Sequence, residues 1–278
     1  MAEAAGERPI ALTRWLAKKA ARAMVGALTA VPAALGSAGE PRVRVLTYHR
    51  FGPGRRAPFC VDAAAFDRQM AWLARSGRAA SLAQVRGFLG GRRNLDNGAV
   101  LVTIDDGDPS VAEIAVPILR RHGVPAVLFT LAGRPEGFRV LDDAALRAVA
   151  DAGVDIGSHS LTHRSMARLP REQQVVEARD SRRRLEDILG RPVTTFAYPF
   201  GTRADYSDET AQVLREAGYD LAFTSQHGAL QAGLDPLALP RVKVESGDPD
   251  WLFPLLCGGA LDAWRLVDGG LYGLQRPA

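Results

Sequence analysis

The chain has 278 residues, of which 47% are hydrophobic and 24% charged, a composition typical of a globular protein whose core needs no disulfides. Its formal net charge is +4, with the basic residues dispersed over several segments. The densest basic run, Arg182–Arg184, lies on a predicted helix that the acids Glu177, Asp180 and Glu186 interrupt. This pattern favours a solvated helix face over a nucleic-acid interface, so no nucleic-acid partner is expected.

Residues 1–40 are predicted to be a basic leader or an amphipathic helix. An Ala-rich run from Ala23 to Leu35 follows four basic residues and is too short to cross a bilayer. Basic residues, an apolar stretch and then small residues at Gly36–Ala38 are typical of a signal peptide. A helix over residues 12–35 that lies on a membrane surface or packs on the domain fits at least as well. Cell-envelope association or export is slightly favoured over a cytoplasmic location.

Residues 41–278 are predicted to form one α/β barrel, because strands and helices alternate along them. We expect parallel strands joined by right-handed crossovers. Seven or so strands without a dinucleotide glycine fingerprint favour an irregular (β/α)7 TIM-like barrel, with catalytic groups just after the strand ends. The predicted elements are strands 43–47, 99–103, 126–130, 154–157, 194–197, 221–224 and 239–244, and helices 63–76, 111–122, 142–152, 170–189 and 208–217.

Two adjacent carboxylates, Asp105 and Asp106, follow the most apolar predicted strand. Carboxylates this close repel one another unless a cation or a proton lies between them. The alternative is an acidic turn at Gly107 and Pro109 in which one of the two caps the next helix.

Two histidines, His159 and His163, follow another predicted strand at a spacing of four, which suits a metal ion. The intervening residues are not those of an H-E-x-x-H motif, so the catalytic base must come from elsewhere. The acidic pair can supply both a third ligand and a base. Two histidines and one carboxylate leave open positions on a metal for water and substrate.

A third strand end carries the aromatic turn Phe196–Gly201. These aromatic residues either close the barrel or, beside a metal, form a wall against which a sugar binds. The C-terminal apolar residues from Trp251 to Leu266 are interpreted as core or barrel lid.

The ordered motifs T-I-D-D-G, S-H-S-L-T-H, F-A-Y-P-F-G and L-P-R resemble the polysaccharide deacetylase family, the chitooligosaccharide-deacetylase-like enzymes of carbohydrate esterase family four. The resemblance covers about Arg42 to Val244. The Y-P-F-G form, with Tyr48-His49 near the N-terminus, is more similar to the branch of biofilm poly-N-acetylglucosamine deacetylases. This resemblance implies an irregular barrel of about seven strands that removes N-acetyl or O-acetyl groups from glycans.

The resemblance also implies a role for each motif residue. Asp105 is the implied general base and His49 the implied general acid, for which a core histidine is the alternative. A divalent metal is the implied cofactor, most consistent with Zn²⁺, and Co²⁺, Ni²⁺ or Fe²⁺ fit the same donors. The N–H of Phe200 is the implied oxyanion donor. The implied metal ligands are Asp106, His159 and His163, and the implied substrate-binding residues are Tyr198, Pro199, Phe200 and Arg241.

The sequence departs from the family pattern at several positions. Ile104 and Asp108-Pro109 replace more usual aromatic residues, and Ala197 stands where many relatives have arginine. Arg241 is the candidate to orient the base in its place. No histidine follows His227 in the sequence, so His49 is the candidate for the general acid.

The predicted function is metal-dependent removal of N-acetyl groups from the amino sugars of a glycan. One alternative is a catalytically silent glycan-binding module on the same barrel. Another is a hydrolase of small amides, such as a lipid-linked amino-sugar deformylase. Fold alone does not choose among them.

Overall fold

The computed structural model describes residues 12–35, 42–53, 57 and 59–262. Seven parallel strands close a barrel, which confirms the predicted fold. The barrel closes because β1 pairs with both β4 and β9. In barrel order the strands are β1 (Arg44–Tyr48), β4 (Val100–Asp106), β5 (Ala126–Thr130), β6 (Asp155–Ser158), β7 (Thr195–Ala197), β8 (Leu221–His227) and β9 (Leu239–Lys243); β2 (Arg50–Phe51) and β3 (Cys60–Val61) form a separate pair.

The helices surround this barrel, and local sequence signals set their ends. Asp62 caps α2 by accepting the N–H groups of Ala64 and Ala65, and Gly190 ends α6 in the left-handed conformation. The helices are α1 (Leu12–Leu35), α2 (Ala63–Ser76), α3 (Leu82–Leu89), α4 (Val116–His122), α5 (Asp143–Asp151), α6 (Arg171–Leu189), α7 (Asp208–Glu216) and α8 (Leu252–Gly258).

Two helical segments differ from the sequence-based expectation. Helix α3 is absent from the predicted elements, although Ser81 and Gln84 form a complete capping box at its start. The helix predicted over 111–122 begins instead with a π-helical turn at Val111–Ala115, and α4 starts at Val116. Pro117, at the second position of α4, has no N–H to continue the preceding ladder.

Alternate residues of β4 face two different regions. Val102 and Ile104 pack in the large apolar cluster with the helices, whereas Leu101 belongs to a second cluster made mainly by strand residues. The period of two along a strand therefore directs Thr103 and Asp105 to the same side as Leu101, the barrel interior.

Helix α1 packs on the barrel through buried charges, one of the alternatives that the sequence left open. Lys19 Nζ lies 2.8 Å from Asp248 Oδ1, Arg22 Nη2 lies 2.9 Å from Asp248 Oδ2, and Lys18 pairs with Glu245 at 2.8 Å. The helix thus turns its cations toward the loop that follows β9. None of the described helices is long and apolar enough to cross a membrane.

The outward face of α1 carries three large apolar side chains. The side chains of Leu12, Leu16 and Met24 are more than half exposed. The residues Gly36–Ala38, interpreted as a possible cleavage region, lie outside the described residues.

The C-terminal residues agree in part with their interpretation as core. Phe253 and Leu256 of α8 are buried, whereas Trp251 is exposed at the start of the helix. Trp264 and Leu266 lie outside the described residues.

Candidate active site

The predicted site residues follow four strands whose carboxyl ends meet at one mouth of the barrel. Asp105 and Asp106 end β4, His159 directly follows β6, and His49 directly follows β1. Phe200 lies in the turn after β7. Because all the barrel strands are parallel, residues distant in sequence come together there.

Three of these side chains form a candidate metal centre. Asp106 Oδ1 lies 3.4 Å from His159 Nε2 and 3.6 Å from His163 Nε2. One donor atom from each residue lies within 4.8 Å of the other two. Asp106 Oδ1 is buried and makes no hydrogen bond. A buried carboxylate oxygen without a donor, facing two imidazole nitrogens, fits a divalent cation such as zinc.

The hydrogen bonding of His159 prepares one ring nitrogen for a metal. Nδ1 lies 2.8 Å from the carbonyl oxygen of Ala197. A carbonyl only accepts, so Nδ1 carries the hydrogen and the lone pair of the neutral ring is on Nε2, which faces Asp106. Ala197 therefore contributes its backbone to the site rather than a side chain.

The electrostatics of the triad also suit a cation. Burial would raise the pKa of Asp106, but His159, His49 and His163 hold it well below its ordinary value. Burial, reinforced by His159, lowers the pKa of His163 to about 4, so this ring is a neutral ligand at pH 7. Burial opposes protonation of His159, yet Asp106 and Asp105 raise its pKa, so a metal would displace a proton there.

Asp105 is held by Arg241 of β9 inside the barrel. Arg241 Nη1 donates to Asp105 Oδ1 at 2.8 Å and Nη2 donates to Oδ2 at 2.7 Å. The guanidinium also donates to Thr224 O and Thr103 Oγ1. Burial would raise the pKa of Asp105, but Arg241 and then His159 keep it below its ordinary value. Asp105 is therefore an oriented, ionised carboxylate.

His49 is placed beside this cluster. Its pKa is lowered by burial, against the opposing influence of Asp106 and Asp105. Its ring centroid lies 4.7 Å from that of Phe59. The histidine is therefore close enough to both carboxylates for their charges to act on it.

Backbone strain is concentrated at this mouth. Among the described residues, positive φ angles outside glycine occur at Asp106 (73°), Ser160 (70°), His163 (59°) and Phe200 (60°). Such conformations cost about 1–3 kcal/mol each and persist where surrounding contacts enforce them. The angle at Asp106 breaks the alternation of β4, so two successive carboxylates serve one site.

The aromatic turn after β7, predicted either to close the barrel or to form a sugar-binding wall, is mostly buried. The Tyr198 ring is 1% exposed and its hydroxyl donates to Leu237 O at 2.9 Å. Pro199 is also buried. Phe200 is 57% exposed, and its ring lies 4.8 Å from that of His163. Direct substrate contact is thus available to Phe200, whereas Tyr198 supports the turn from the core.

Several residues that the motifs did not identify also contribute to the site. Phe138 lies 4.8 Å from the His163 ring, on the loop after β5. Asp205 accepts from Ser165 Oγ at 2.6 Å and from the N–H of Thr202 at 3.1 Å. It therefore connects the loop after His163 to the turn that carries Phe200. The position of Phe138 after a strand end was the one available signal; the role of Asp205 requires the fold.

The chain is similar in sequence and fold to known polysaccharide deacetylases. Residues 92–222 match the polysaccharide deacetylase family. The chain is 28% identical over 213 residues to the Bacillus subtilis protein YxkH, which carries a provisional polysaccharide deacetylase assignment; the alignment covers 74% of this chain and 72% of YxkH. It is 23% identical to the poly-β-1,6-N-acetyl-D-glucosamine N-deacetylase of Staphylococcus aureus, covering 67% of this chain and 68% of that enzyme. The structure of IcaB from Ammonifex degensii is similar with a TM-score of 0.68 and 28% identity, covering 80% of this chain and 97% of IcaB.

Proposed function

We propose that the chain, a hydrolase of the deacetylase type whose residues 92–222 match the polysaccharide deacetylase family, removes N-acetyl groups from the amino sugars of a glycan in a metal-dependent reaction. The observation that carries the proposal is the Asp106–His159–His163 cluster beside the ion-paired Asp105. The donor set of two imidazoles and one carboxylate is most consistent with Zn²⁺; Co²⁺, Ni²⁺ and Fe²⁺ are the alternatives.

A divalent cation on these three ligands supplies Lewis-acid chemistry, lowering the pKa of water and polarising a carbonyl. Asp105, ionised and oriented by Arg241, takes the proton of the attacking water. The N–H of Phe200 donates to the oxygen on which negative charge develops. His49 holds the proton that the leaving nitrogen receives.

The substrate side of the proposal rests on Phe200. Its exposed ring beside His163 offers an apolar face of the kind against which a sugar ring packs. Phe138, on the loop after β5, adds a second ring near the same histidine. The S. aureus relative, whose substrate is poly-β-1,6-N-acetyl-D-glucosamine, supports an N-acetylated polysaccharide as the substrate class.

The deciding experiment measures acetate release from N-acetylglucosamine oligomers by purified protein, stripped of metal and then reconstituted with Zn²⁺ or Co²⁺. Release that depends on added metal is the expected result. One tightly bound metal per chain without acetate release would favour the small-amide or deformylase alternative. Protein that binds no metal would favour the silent glycan-binding module.

We also propose that the outward face of α1 contacts a membrane surface, consistent with an envelope-associated or exported location. Leu12, Leu16 and Met24 are 53%, 51% and 60% exposed, while Lys19 and Arg22 point to the barrel. Residues 12–35 include no acidic residue that would repel anionic headgroups, and the chain has a net charge of +4. An apolar helix face of this kind binds in the interfacial region of a bilayer.

Sedimentation with phosphatidylcholine–phosphatidylglycerol vesicles tests this contact. We expect Leu16→Ser combined with Met24→Ser to lower the bound fraction. The control pair Val176→Ser with Leu234→Ser, at 41% and 38% exposure elsewhere on the surface, should leave it unchanged. Equal vesicle binding by both double variants would reject the proposal. Loss of self-association in gel filtration by Leu16→Ser with Met24→Ser, without loss of vesicle binding, would also reject it.

A further inference from the structure

The loop between the two candidate metal-binding histidines is held by a carboxylate from outside their motif. Glu177 of α6 is 4% exposed. Its Oε2 accepts the backbone N–H groups of Leu161 and Thr162, each at 2.9 Å, and its Oε1 accepts the Thr162 hydroxyl. Hydrogen bonds to a charged acceptor are roughly twice as strong as those between neutral groups.

The held segment lies between two strained residues. Ser160 has φ 70° and His163 has φ 59°, and Leu161 and Thr162 connect them. Left-handed backbone at such residues needs contacts that outweigh its cost. Glu177 provides three of these contacts at the middle of the loop.

Neutral groups also make hydrogen bonds to this loop. Ser160 Oγ accepts the N–H of His163 at 3.0 Å, and the N–H of Gly133 donates to Leu161 O at 2.9 Å. The N–H of Ala132 donates to Ser160 O at 3.0 Å. Glu177 adds a carboxyl group to these contacts, and it approaches the loop from the helix side.

We propose that Glu177 is a positioning residue that holds residues 160–163 in shape, so that His163 faces Asp106 before a metal binds. The inference rests on the proposed metal site and deepens it. Its hydrogen bonds end at Leu161 and Thr162, so it acts on His163 through the backbone. Partners of this kind behind metal ligands affect metal affinity by about 10–100-fold.

Glu177→Gln tests the role, because it removes the charge while keeping the size of the side chain. We expect Co²⁺, followed by its absorption spectrum, to bind the variant about 10-fold or more weakly than the wild type. In metal-free protein, we expect faster hydrogen exchange at the amides of Leu161 and Thr162.

A matched control lies on the same helix. The Glu186 carboxylate accepts the N–H of Val193 at 2.9 Å and the Nε–H of Arg182 at 2.9 Å, so it also anchors a loop from α6. Glu186→Gln should leave Co²⁺ affinity and exchange at residues 161–162 unchanged. Equal losses in the two glutamate variants would overturn the positioning role, because they would report a general loss of stability.

Two further measurements keep the outcome decisive. If wild-type protein binds no Co²⁺, the proposed function fails, while exchange in metal-free protein still decides whether Glu177 holds the loop. If Glu177→Gln does not fold, Thr162→Val removes the hydroxyl bond alone. It should weaken Co²⁺ binding in the same direction by a smaller factor, and unchanged affinity would reject the inference.

Discussion

Arg241 and Asp105 face each other across the barrel interior, joined by two parallel hydrogen bonds of 2.8 and 2.7 Å, although β1 separates their strands. This pair explains how the site has an oriented carboxylate while Ala197 contributes only its carbonyl oxygen. Both oxygens of Asp105 are thereby held by the guanidinium, and Asp106 faces the two histidines.

We therefore expect Asp105→Asn to keep metal and lose turnover. The amide cannot accept the proton of water, and general-base catalysis contributes about 10²–10⁴-fold. Metal content by elemental analysis and acetate release by the same sample provide the measurement. A variant with more than a tenth of wild-type activity would contradict the role of Asp105.

Asp106→Ala and His159→Ala should lose metal and activity together, since each removes a ligand atom from a three-residue site. Competitive titration against a chromogenic chelator measures the affinity. His122→Ala is the matched control, because His122 pairs with Asp67 on the surface, away from the site. Normal metal content in Asp106→Ala would exclude this cluster as the metal centre.

The alkaline limb of the pH–rate profile should reflect His49. Burial lowers its pKa below the ordinary 6.5, and a cation at Asp106 would shift it further in the same direction. The protonated form therefore decreases as pH rises through a value below 6.5. We expect His49→Gln to abolish this limb and to reduce kcat about 100-fold or more. An unchanged limb in the variant would assign it to another group.

A substitution at Phe200 should affect substrate binding, whereas a substitution at Tyr198 should affect stability. Phe200→Ala removes an exposed ring and should raise KM about 10-fold without lowering Tm, if the lost contact is worth about 1.4 kcal/mol. Tyr198→Phe removes a buried hydrogen bond and should cost about 1 kcal/mol of stability with KM unchanged. A raised KM with an unchanged Tm in Tyr198→Phe would instead place Tyr198 in contact with the sugar.

The attachment of α1 should depend on pH through Glu245. Burial would raise the pKa of this carboxyl, but Arg22, Lys18 and Lys19 hold it well below 4.5. Its stabilisation is therefore present above about pH 4.5 and is lost as pH falls below that value. Glu245→Gln should cost about 3 kcal/mol at pH 7 and progressively less in acid.

Denaturant unfolding at several pH values measures this difference. Glu216→Gln, which breaks an exposed pair with Arg171, should stay within about 0.5 kcal/mol of wild type. A deficit for Glu245→Gln that persists unchanged into acid would contradict the electrostatic attachment.

The barrel fold and the positions of the candidate site residues were predictable from sequence, because both depend on local sequence patterns. Apolar runs such as 99–103 predict buried strands. Because the strands are parallel, Asp106, His159 and His49 at their carboxyl ends lie at one mouth of the barrel. The capping box at Ser81 also indicates the start of a helix. The sequence therefore contained the signal for α3, and its omission was an error of interpretation.

The remaining features depend on tertiary contacts. Glu177 was interpreted as part of a solvated face because α6 is rich in charged residues, yet the helix turns this one acid toward Leu161 and Thr162. Tyr198 was interpreted as a substrate contact because the turn is aromatic, and its burial follows from packing against Tyr206 and Phe196. Lys19 and Arg22 of α1 are buried against the barrel, the reverse of the usual placing of charges on the solvent face of a helix.

The left-handed residues at the mouth have a consequence for engineering. Glycine at Ser160 or Phe200 would relieve backbone strain, so a selection for heat resistance alone would reward such changes. The same changes would remove the hydroxyl that supports His163 or the ring that covers it. Screens of this enzyme for thermostability alone would therefore select stable but inactive variants. Each round should also select for turnover.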